Sequence, residues 1–381
     1  MPELSSEDSL RLNVLLANGV QAIRIDETNM TLHGLTGRGE ASVALHPTGR
    51  KEQYLRLVRE LLSSHALGSP GGFPIYLRQW TRSGQPMGEN LDKLLLLGEP
   101  EAVVSVAYSP KITAELARLA WWAMPVADNA RRMLERECVA KDEIGKVLAE
   151  FLIEHLPFEN QAHVQMDTVR IVLHPGLIDE AARLRLWNKA SRDNAFYVPF
   201  LQRLPDSLPG QTTARADHED VAAGIEHLAT AGNIYAAALL RVLSGGGQAF
   251  LRAAEDVITR PANQDVAIAA FNALAAYFST LRPEESGIVE VEALLAHSDT
   301  LLARNGSAQE ILALAPELRA ELRAELRAEL RAMLILAQMD AEIARSILSR
   351  TTAEGTLMRR KLEPVTGPMR QQIAVLRGVG K

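Results

Sequence analysis

The segment VQAIRIDETNMTLHGLTGRGEASVAL, residues 20–45, contains three short runs in which apolar and polar residues alternate. The runs cover residues 23–26, 30–33 and 41–45, and short breaks rich in turn-forming residues separate them. Alternation with a period of two is typical of strands with one buried face, and such breaks are typical of tight turns. We therefore predict a short antiparallel meander in this part of the chain.

Helical patterns flank the meander on both sides. Apolar residues recur at helical spacing over residues 6–18 and again over residues 51–64. Residues 75–80 can form one further strand before the break at Gly84. Together these elements predict a small α+β domain over residues 1–84.

Beyond residue 84 the alternation disappears and helical stretches follow one another. Breaks at Pro, Gly and Asn residues separate these stretches. Many short helices in series predict an irregular α-solenoid of the HEAT-like kind over residues 85–306, and a compact multi-helix bundle is the alternative. The fold class is thus mainly α. The helical stretches are 100–108, 113–123, 127–138, 144–156, 177–190, 218–231, 233–243, 248–259 and 265–281.

A four-residue repeat marks the third part of the chain, residues 307–381. Glu-Leu-Arg-Ala occurs four times over residues 317–332, and no helix breaker follows before Thr351. A helix from Pro316 to Arg350 would be about 50 Å long at 1.5 Å per residue. Ser307 and Glu310 have the spacing of a capping box before it.

The last residues carry an excess of positive charge. Six basic residues and one acid lie between residues 356 and 381. Such a tail can bind an acidic partner or RNA phosphates, with Arg359, Arg360 and Lys361 as the candidate residues. The alternative is a solvated tail that offsets the acidic body of the protein.

Composition limits the classes of protein to consider. The chain has 381 residues, is 47% hydrophobic and 23% charged, and has a net charge of −6. These values exclude global disorder and a strong overall attraction for nucleic acid. One cysteine excludes a disulfide framework or a multi-thiolate zinc site. No apolar run approaches the ~20 residues of a membrane span, and the N-terminus is polar, so we expect a cytoplasmic protein without a membrane anchor.

Two segments could hold an anion through backbone N–H groups. One is the loop 68–72, although no phosphate-binding fingerprint accompanies it. The other is the helix start at 46–51, where Arg50 and Lys51 could add positive charge. The alternatives are a structural turn and an ordinary helix start with two solvated cations.

Three further residues are candidates for function. Trp121 and Trp122 are adjacent on a predicted helix, so their rings point about 100° apart and one of them could mark a partner-binding surface. Cys138 could serve a sulfur-relay enzyme, but its predicted place near a helix C-terminus favours a buried structural cysteine. The nine histidines match no metal-binding spacing, and the sequence indicates neither a metal nor a cofactor.

Several motifs resemble one known family. They are SEDSLRLNVLLAN at 6–18, LGSPGG at 67–72, the pair Tyr76-Leu77, the triplet Trp80-Thr81-Arg82, LGEPEAVV at 97–104 and AWWAMP at 120–125. They are similar to the DsrS family, sulfur-reduction proteins encoded among the dissimilatory sulfite reductase genes of sulfur-oxidising bacteria. The resemblance covers mainly residues 6–205 and does not extend beyond residue 305.

The resemblance implies a cytoplasmic accessory protein that supports or regulates production of the sulfur-oxidising machinery. It transfers no catalytic residues to this chain. We therefore expect a non-enzymatic protein that binds a macromolecular partner, most simply a protein of that machinery, through residues such as Trp121, Trp122, Arg50 and Lys51. The alternatives are an RNA-binding post-transcriptional regulator and a sulfur-relay enzyme that uses Cys138.

Overall fold

The computed structural model describes residues 4–73, 90–210, 212–284, 290–314, 320–349 and 353–379. It is mainly helical, with a small three-stranded antiparallel sheet near the N-terminus, which confirms the predicted fold class. The predicted strand 75–80 and the predicted domain limit at residue 84 lie outside the described residues.

The secondary structure follows the sequence pattern closely in the first part of the chain. The strands are β1 (Val20–Asp26), β2 (Thr31–Thr36) and β3 (Gly39–Ala44). The helices up to the middle of the chain are α1 (Ser6–Ala17), α2 (Lys51–Leu67), α3 (Leu91–Leu94), α4 (Pro100–Ala107), α5 (Ala114–Ala123), α6 (Ala127–Leu134), α7 (Glu137–Ala140), α8 (Glu143–His155), α9 (Ala162–Val172) and α10 (Glu180–Ala190). The remaining helices are α11 (Tyr197–Arg203), α12 (His218–Thr230), α13 (Ile234–Leu243), α14 (Gly245–Thr259), α15 (Gln264–Tyr277), α16 (Val291–Arg304), α17 (Gly306–Leu314), α18 (Ala320–Leu336), α19 (Ala341–Leu348) and α20 (Gly355–Arg377).

The sheet is a meander in the order β1-β2-β3, with Ile23 opposite Gly34 and Leu32 opposite Val43. One of its faces is covered by α1 and α2, because buried residues of both helices form a core with the inward side chains of the strands. The main members of this core are Leu12, Leu15, Leu16, Ile23, Leu32, Tyr54, Val58 and Leu62.

The described residues form two compact units. The first comprises Met1–His155 with His174–Ile178, and the second comprises Leu156–Leu173 with Asp179–Lys381. These limits do not coincide with the predicted limits at residues 84 and 306. The first unit extends beyond residue 84 because later segments contact the sheet. Ile23 of β1 donates a backbone hydrogen bond to the Leu95 carbonyl at 2.8 Å, and α5 packs against β1.

The predicted basic tail is a helix of the second unit. The 23-residue α20 buries one face against α14 and α18, so the expectation of a solvated tail is wrong. Its buried apolar residues recur every three or four positions, the pattern of an amphipathic helix. They are Met358, Leu362, Val365, Met369, Ile373 and Leu376.

The predicted helix from Pro316 to Arg350 is interrupted. α18 ends at Leu336, and Asp340 caps α19 by accepting a hydrogen bond from the Glu342 amide at 3.0 Å. The capping box at Ser307 is also wrong, since Asn305 caps α17 instead. In both places an Asn or Asp side chain caps the helix by accepting a hydrogen bond from a backbone N–H group. No Gly or Pro marks the break before Asp340, and at the other place Asn305 competes with Ser307 as the cap.

The glycines at 245–247, predicted as a break, form the first turn of α14. Ser244 caps the helix by accepting a hydrogen bond from the Gly247 amide at 3.2 Å. A Cβ on Gly245 would lie 2.4 Å from the Thr212 carbonyl oxygen. The loop between α11 and α12, which contains Thr212, can therefore contact the start of α14 only because Gly245 lacks a side chain. Among the described helices none alone has the length and apolar character of a membrane span, although α13 and α14, bent by 76°, meet that test as a pair.

Candidate binding groove

A groove runs along the exposed face of α14 in the second unit. Cavities of about 620 and 590 Å³ lie on either side of a smaller one of about 230 Å³. The small cavity shares Ala249 with one neighbour and Tyr197 and Asp256 with the other, so the three are continuous. A further cavity of about 440 Å³ adjoins the small cavity, because Thr212 and Arg252 line both of them.

One wall of the groove is aromatic. Trp187 of α10 packs edge-to-face against Tyr197 of α11, with ring centroids 4.7 Å apart, and against the buried Phe200 at 5.2 Å. Burial, together with the nearby Asp256 carboxylate, raises the pKa of the Tyr197 hydroxyl. The wall is therefore a rigid, half-buried pair of rings of the kind that anchors partners at interfaces.

The floor of the groove carries three exposed charged side chains. Arg252 and Asp256 lie one helical turn apart on α14, and Arg260 is the residue at which this helix ends. None of them forms an ion pair or a side-chain hydrogen bond with any other described residue. We call these three residues the α14 charge row.

Two neighbouring arginines of α20 are paired with carboxylates. Arg377 of α20 forms an ion pair with Glu255 of α14, and Arg370 pairs with Glu363 at 2.5 Å. Two of the six predicted tail charges therefore pair with carboxylates in the fold. Arg360 and Lys361 are exposed at the start of α20, while Arg359 is half-buried and donates to the Thr356 hydroxyl at 3.0 Å.

A buried cluster around Arg215 joins three segments of the same unit. The guanidinium binds both carboxylate oxygens of Asp217, at 2.6 and 2.7 Å, and the Glu329 carboxylate at 2.6 Å. It also donates to the Leu376 carbonyl of α20 at 3.3 Å. Burial alone would lower the pKa of Arg215, but the two carboxylates outweigh burial and raise it. Glu329 belongs to the Glu-Leu-Arg-Ala repeat, so one member of the repeat helps to hold α20 in place.

The tryptophans predicted to bind a partner make contacts within the first unit. The Trp122 indole donates to Glu40 of β3 at 3.2 Å, and Arg24 lies over its ring at 4.7 Å. Trp121 packs edge-to-face on Phe151, with ring centroids 4.8 Å apart. Both rings are half-buried, so each has a structural contact that accounts for its position.

The predicted anion site at the start of α2 lies beside a buried carboxylate. Arg50 and Lys51 are exposed at the start of the helix. Asp8 of α1 is buried and accepts hydrogen bonds from the His46 amide at 2.8 Å, from His46 Nδ1 at 2.9 Å and from the Tyr54 hydroxyl. Burial raises the pKa of Asp8, but these hydrogen bonds outweigh burial and lower it. The segment 46–51 is thus tied to α1 by one carboxylate.

The predicted anion-binding loop 68–72 lies beside a carboxyl group of the same unit. Gly68 ends α2 in the left-handed conformation, and the Gly72 amide donates to the Ser63 hydroxyl at 2.8 Å. The next amide, that of Phe73, points to the Glu99 carboxylate at 3.3 Å. A Cβ on Gly72 would lie 2.4 Å from a Glu99 oxygen, so glycine makes the approach of this carboxylate possible.

Cys138 differs from its prediction. It lies in the short helix α7 and is exposed, whereas the sequence favoured a buried cysteine near a helix C-terminus. The predicted helix 127–138 ends at Leu134, which changes the environment of the thiol. The Cys138 thiol donates a hydrogen bond to the Ile112 carbonyl, with the Sγ atom 3.3 Å from the oxygen. In the part of the chain that the structure describes, no three His, Cys, Asp or Glu residues come together to hold a metal.

The residues of the groove were not among the sequence-based candidates. Trp187 is one of only four tryptophans in the chain, which was the one available signal. No protein-family model, curated protein or solved structure matches this chain.

Proposed function

We propose that this protein is a non-catalytic accessory protein whose second unit binds a segment of a partner protein in the groove along α14. The observation that carries the proposal is the α14 charge row, exposed and unpaired beside the Trp187–Tyr197 wall. Aromatic and Arg side chains within a polar rim are common at protein-recognition sites. The groove is also long enough, because the fifteen residues of α14 span about 22 Å.

The resemblance to the DsrS family supports a more specific version of this proposal. In that version the partner is a protein of the sulfur-oxidising machinery, and binding supports or regulates its production in the cytoplasm. The motifs behind the resemblance lie mainly in the first 205 residues, whereas most of the groove lies after them. The two lines of support are therefore independent of each other.

A blocked groove tests the proposal. The full chain, affinity-tagged, would be purified with its partners from its native host growing on a reduced sulfur compound. The variant Ala249→Lys places a long charged side chain where two cavities of the groove meet. Ala303→Lys makes the same change at an exposed site on α16 and serves as the matched control.

We expect the wild type and Ala303→Lys to retain the same partner proteins, identified by mass spectrometry, and Ala249→Lys to lose them. Equal recovery by all three proteins would contradict a role for the groove. Treatment of half of each eluate with RNase separates direct protein partners from those held through RNA.

RNA binding is the second candidate function, and the exposed Arg360 and Lys361 beside Arg359 at the start of α20 favour it. Removal of residues 356–381 is not a valid test, because it deletes a helix of the core. We would instead replace these three residues by Glu and measure binding of a labelled 20-nucleotide poly-U strand against salt concentration. Loss of three phosphate contacts should reduce the slope of log K against log salt by about 2. An unchanged slope would exclude this surface.

A further inference from the structure

The α14 charge row has a definite order and spacing. In chain order it reads cation, anion, cation. Arg252 and Asp256 are one turn apart on α14, and Arg260 follows at the C-cap, where the backbone leaves the helical conformation. Four residues of α-helix rise about 6 Å. Alternate residues of an extended chain lie about 6.6 Å apart and point to the same side. A bound strand can therefore bring two alternate side chains opposite Arg252 and Asp256. Its next alternate side chain then reaches the neighbouring cavity, which Asp256 and Arg260 both line.

The three charges are available to an external partner. Arg252 and Asp256 have the i,i+4 spacing at which helix ion pairs form, and Arg260 follows Asp256 at the C-cap, yet neither pair is joined in the structure. Adjacent Glu255 faces Arg377 instead. Exposed ion pairs of this kind are weak, so a partner with better geometry can compete with them.

The sign of the middle charge selects the class of partner. A phosphate backbone would meet the Asp256 carboxylate at the centre of the row, and this carboxylate would repel it. A protein segment can offer a base at that position and acids on either side. The complementary charges also exclude a segment of the opposite order, because it would bring like charges together at three positions.

We infer that the groove along α14 binds an extended segment of a partner protein that carries an acidic, a basic and an acidic residue at alternate positions. This inference rests on the proposed function and names the chemistry of the partner at the same site. The acidic side chains lie opposite Arg252 and Arg260, and the basic side chain lies opposite Asp256.

The test is a selection with the purified full chain against a displayed library of random nine-residue peptides. The wild type, the triple variant Arg252→Glu, Asp256→Lys, Arg260→Glu and the variant Arg304→Glu are used in parallel. Arg304 is exposed on α16 outside the groove, and its replacement changes the net charge by the same amount as the triple variant.

We expect the wild type and Arg304→Glu to enrich peptides with the order acid-x-base-x-acid, and the triple variant to enrich base-x-acid-x-base. Three exposed charge pairs should give each protein about a tenfold preference between synthetic peptides of the two orders, measured by fluorescence anisotropy. No enrichment, no preferred charge order, or an order that survives the triple variant would overturn the inference.

The charge order and the proposed function can be tested separately, because the variants of the two experiments differ. Partner recovery that is lost in Ala249→Lys but not in the triple variant would keep the groove as a binding site and overturn the charge order. Recovery that is unaffected by either change would refute both. Poly-U binding that the triple variant abolishes would assign the groove to RNA instead.

Discussion

Two groups of charges in the second unit, the Arg215 cluster and the α14 charge row, are built from the same residue types and are used in opposite ways. Arg215 has an 8% exposed side chain and binds two carboxylates and a backbone carbonyl. Arg252, Asp256 and Arg260 are exposed and bind no described side chain. A buried charge must be paired for the fold to form, whereas an exposed one can stay unpaired at little cost. The difference separates charges that hold the fold from charges available for recognition.

Breaking the Arg215 cluster should have the largest effect. Arg215→Ala leaves the carboxylate of Glu329, which is 2% exposed, without its main cation. We expect a loss of about 3–5 kcal/mol in the free energy of unfolding. Urea unfolding followed by circular dichroism measures it, with Arg252→Ala as the control. A loss no greater than that of the control would contradict the role of this cluster.

The buried carboxylate of the first unit should rank second. Asp8→Asn keeps the size of the side chain but replaces the carboxylate, which accepts hydrogen bonds from His46 and Tyr54, by a neutral amide. We expect a loss of about 1–3 kcal/mol at pH 7. Asp92→Asn, at an exposed site on α3, should have no effect.

The loss at Asp8 should depend on pH. The folded-state pKa of Asp8 is lowered, so its stabilisation is complete above the unfolded value of about 3.9 and disappears as pH falls through the folded value. The difference between wild type and Asp8→Asn should therefore shrink below about pH 3.9. A difference that grows on acidification would show that the pKa of Asp8 is raised.

A smaller effect is expected at Trp122. Trp122→Phe keeps an aromatic ring under Arg24 but removes the hydrogen bond to Glu40. Exposed contacts of this kind contribute about 0.5–1.5 kcal/mol, so we expect a loss in that range. Partner recovery should be unchanged. Loss of the partner without loss of stability would instead assign Trp122 the binding role that the sequence predicted.

The smallest effect on stability is expected in the α14 charge row. Arg252→Ala and Arg260→Ala should each change the free energy of unfolding by less than about 0.5 kcal/mol, since neither side chain has a partner to lose. The same variants should weaken peptide binding. A large loss of stability in either would mean that the row belongs to the fold and not to recognition.

Local structure could be predicted well from the sequence because it depends on neighbouring residues. The three strands and α2 were predicted from their periods, and α2 ends three residues late, at Leu67, where Gly68 provides a left-handed cap. The errors occur where a local signal was ambiguous. Asn305 and Asp340 begin helices because their side chains accept hydrogen bonds from backbone N–H groups. No Gly or Pro lies near Asp340, and Asn305 and Ser307 were both possible caps.

The groove could not be predicted, because its walls come from distant parts of the chain. Trp187, Arg252 and Arg377 meet only after α10, α14 and α20 have packed. Burial is equally non-local, so Arg215 and Arg252 look alike in the sequence. The charges of the last segment were counted correctly, but the helical spacing of its apolar residues, which makes α20 a helix of the core, was not recognised.

The packing of α20 on α14 also sets an order for synthesis on the ribosome. At 5–20 residues per second, the ribosome needs on the order of ten seconds to move from α14 to the end of α20. During that interval the surface of α14 that α20 later covers is accessible to chaperones and to other nascent chains. Arg377, which lines the cavity of about 440 Å³ beside the groove, is added last, so this cavity is complete only after residue 377 has left the exit tunnel.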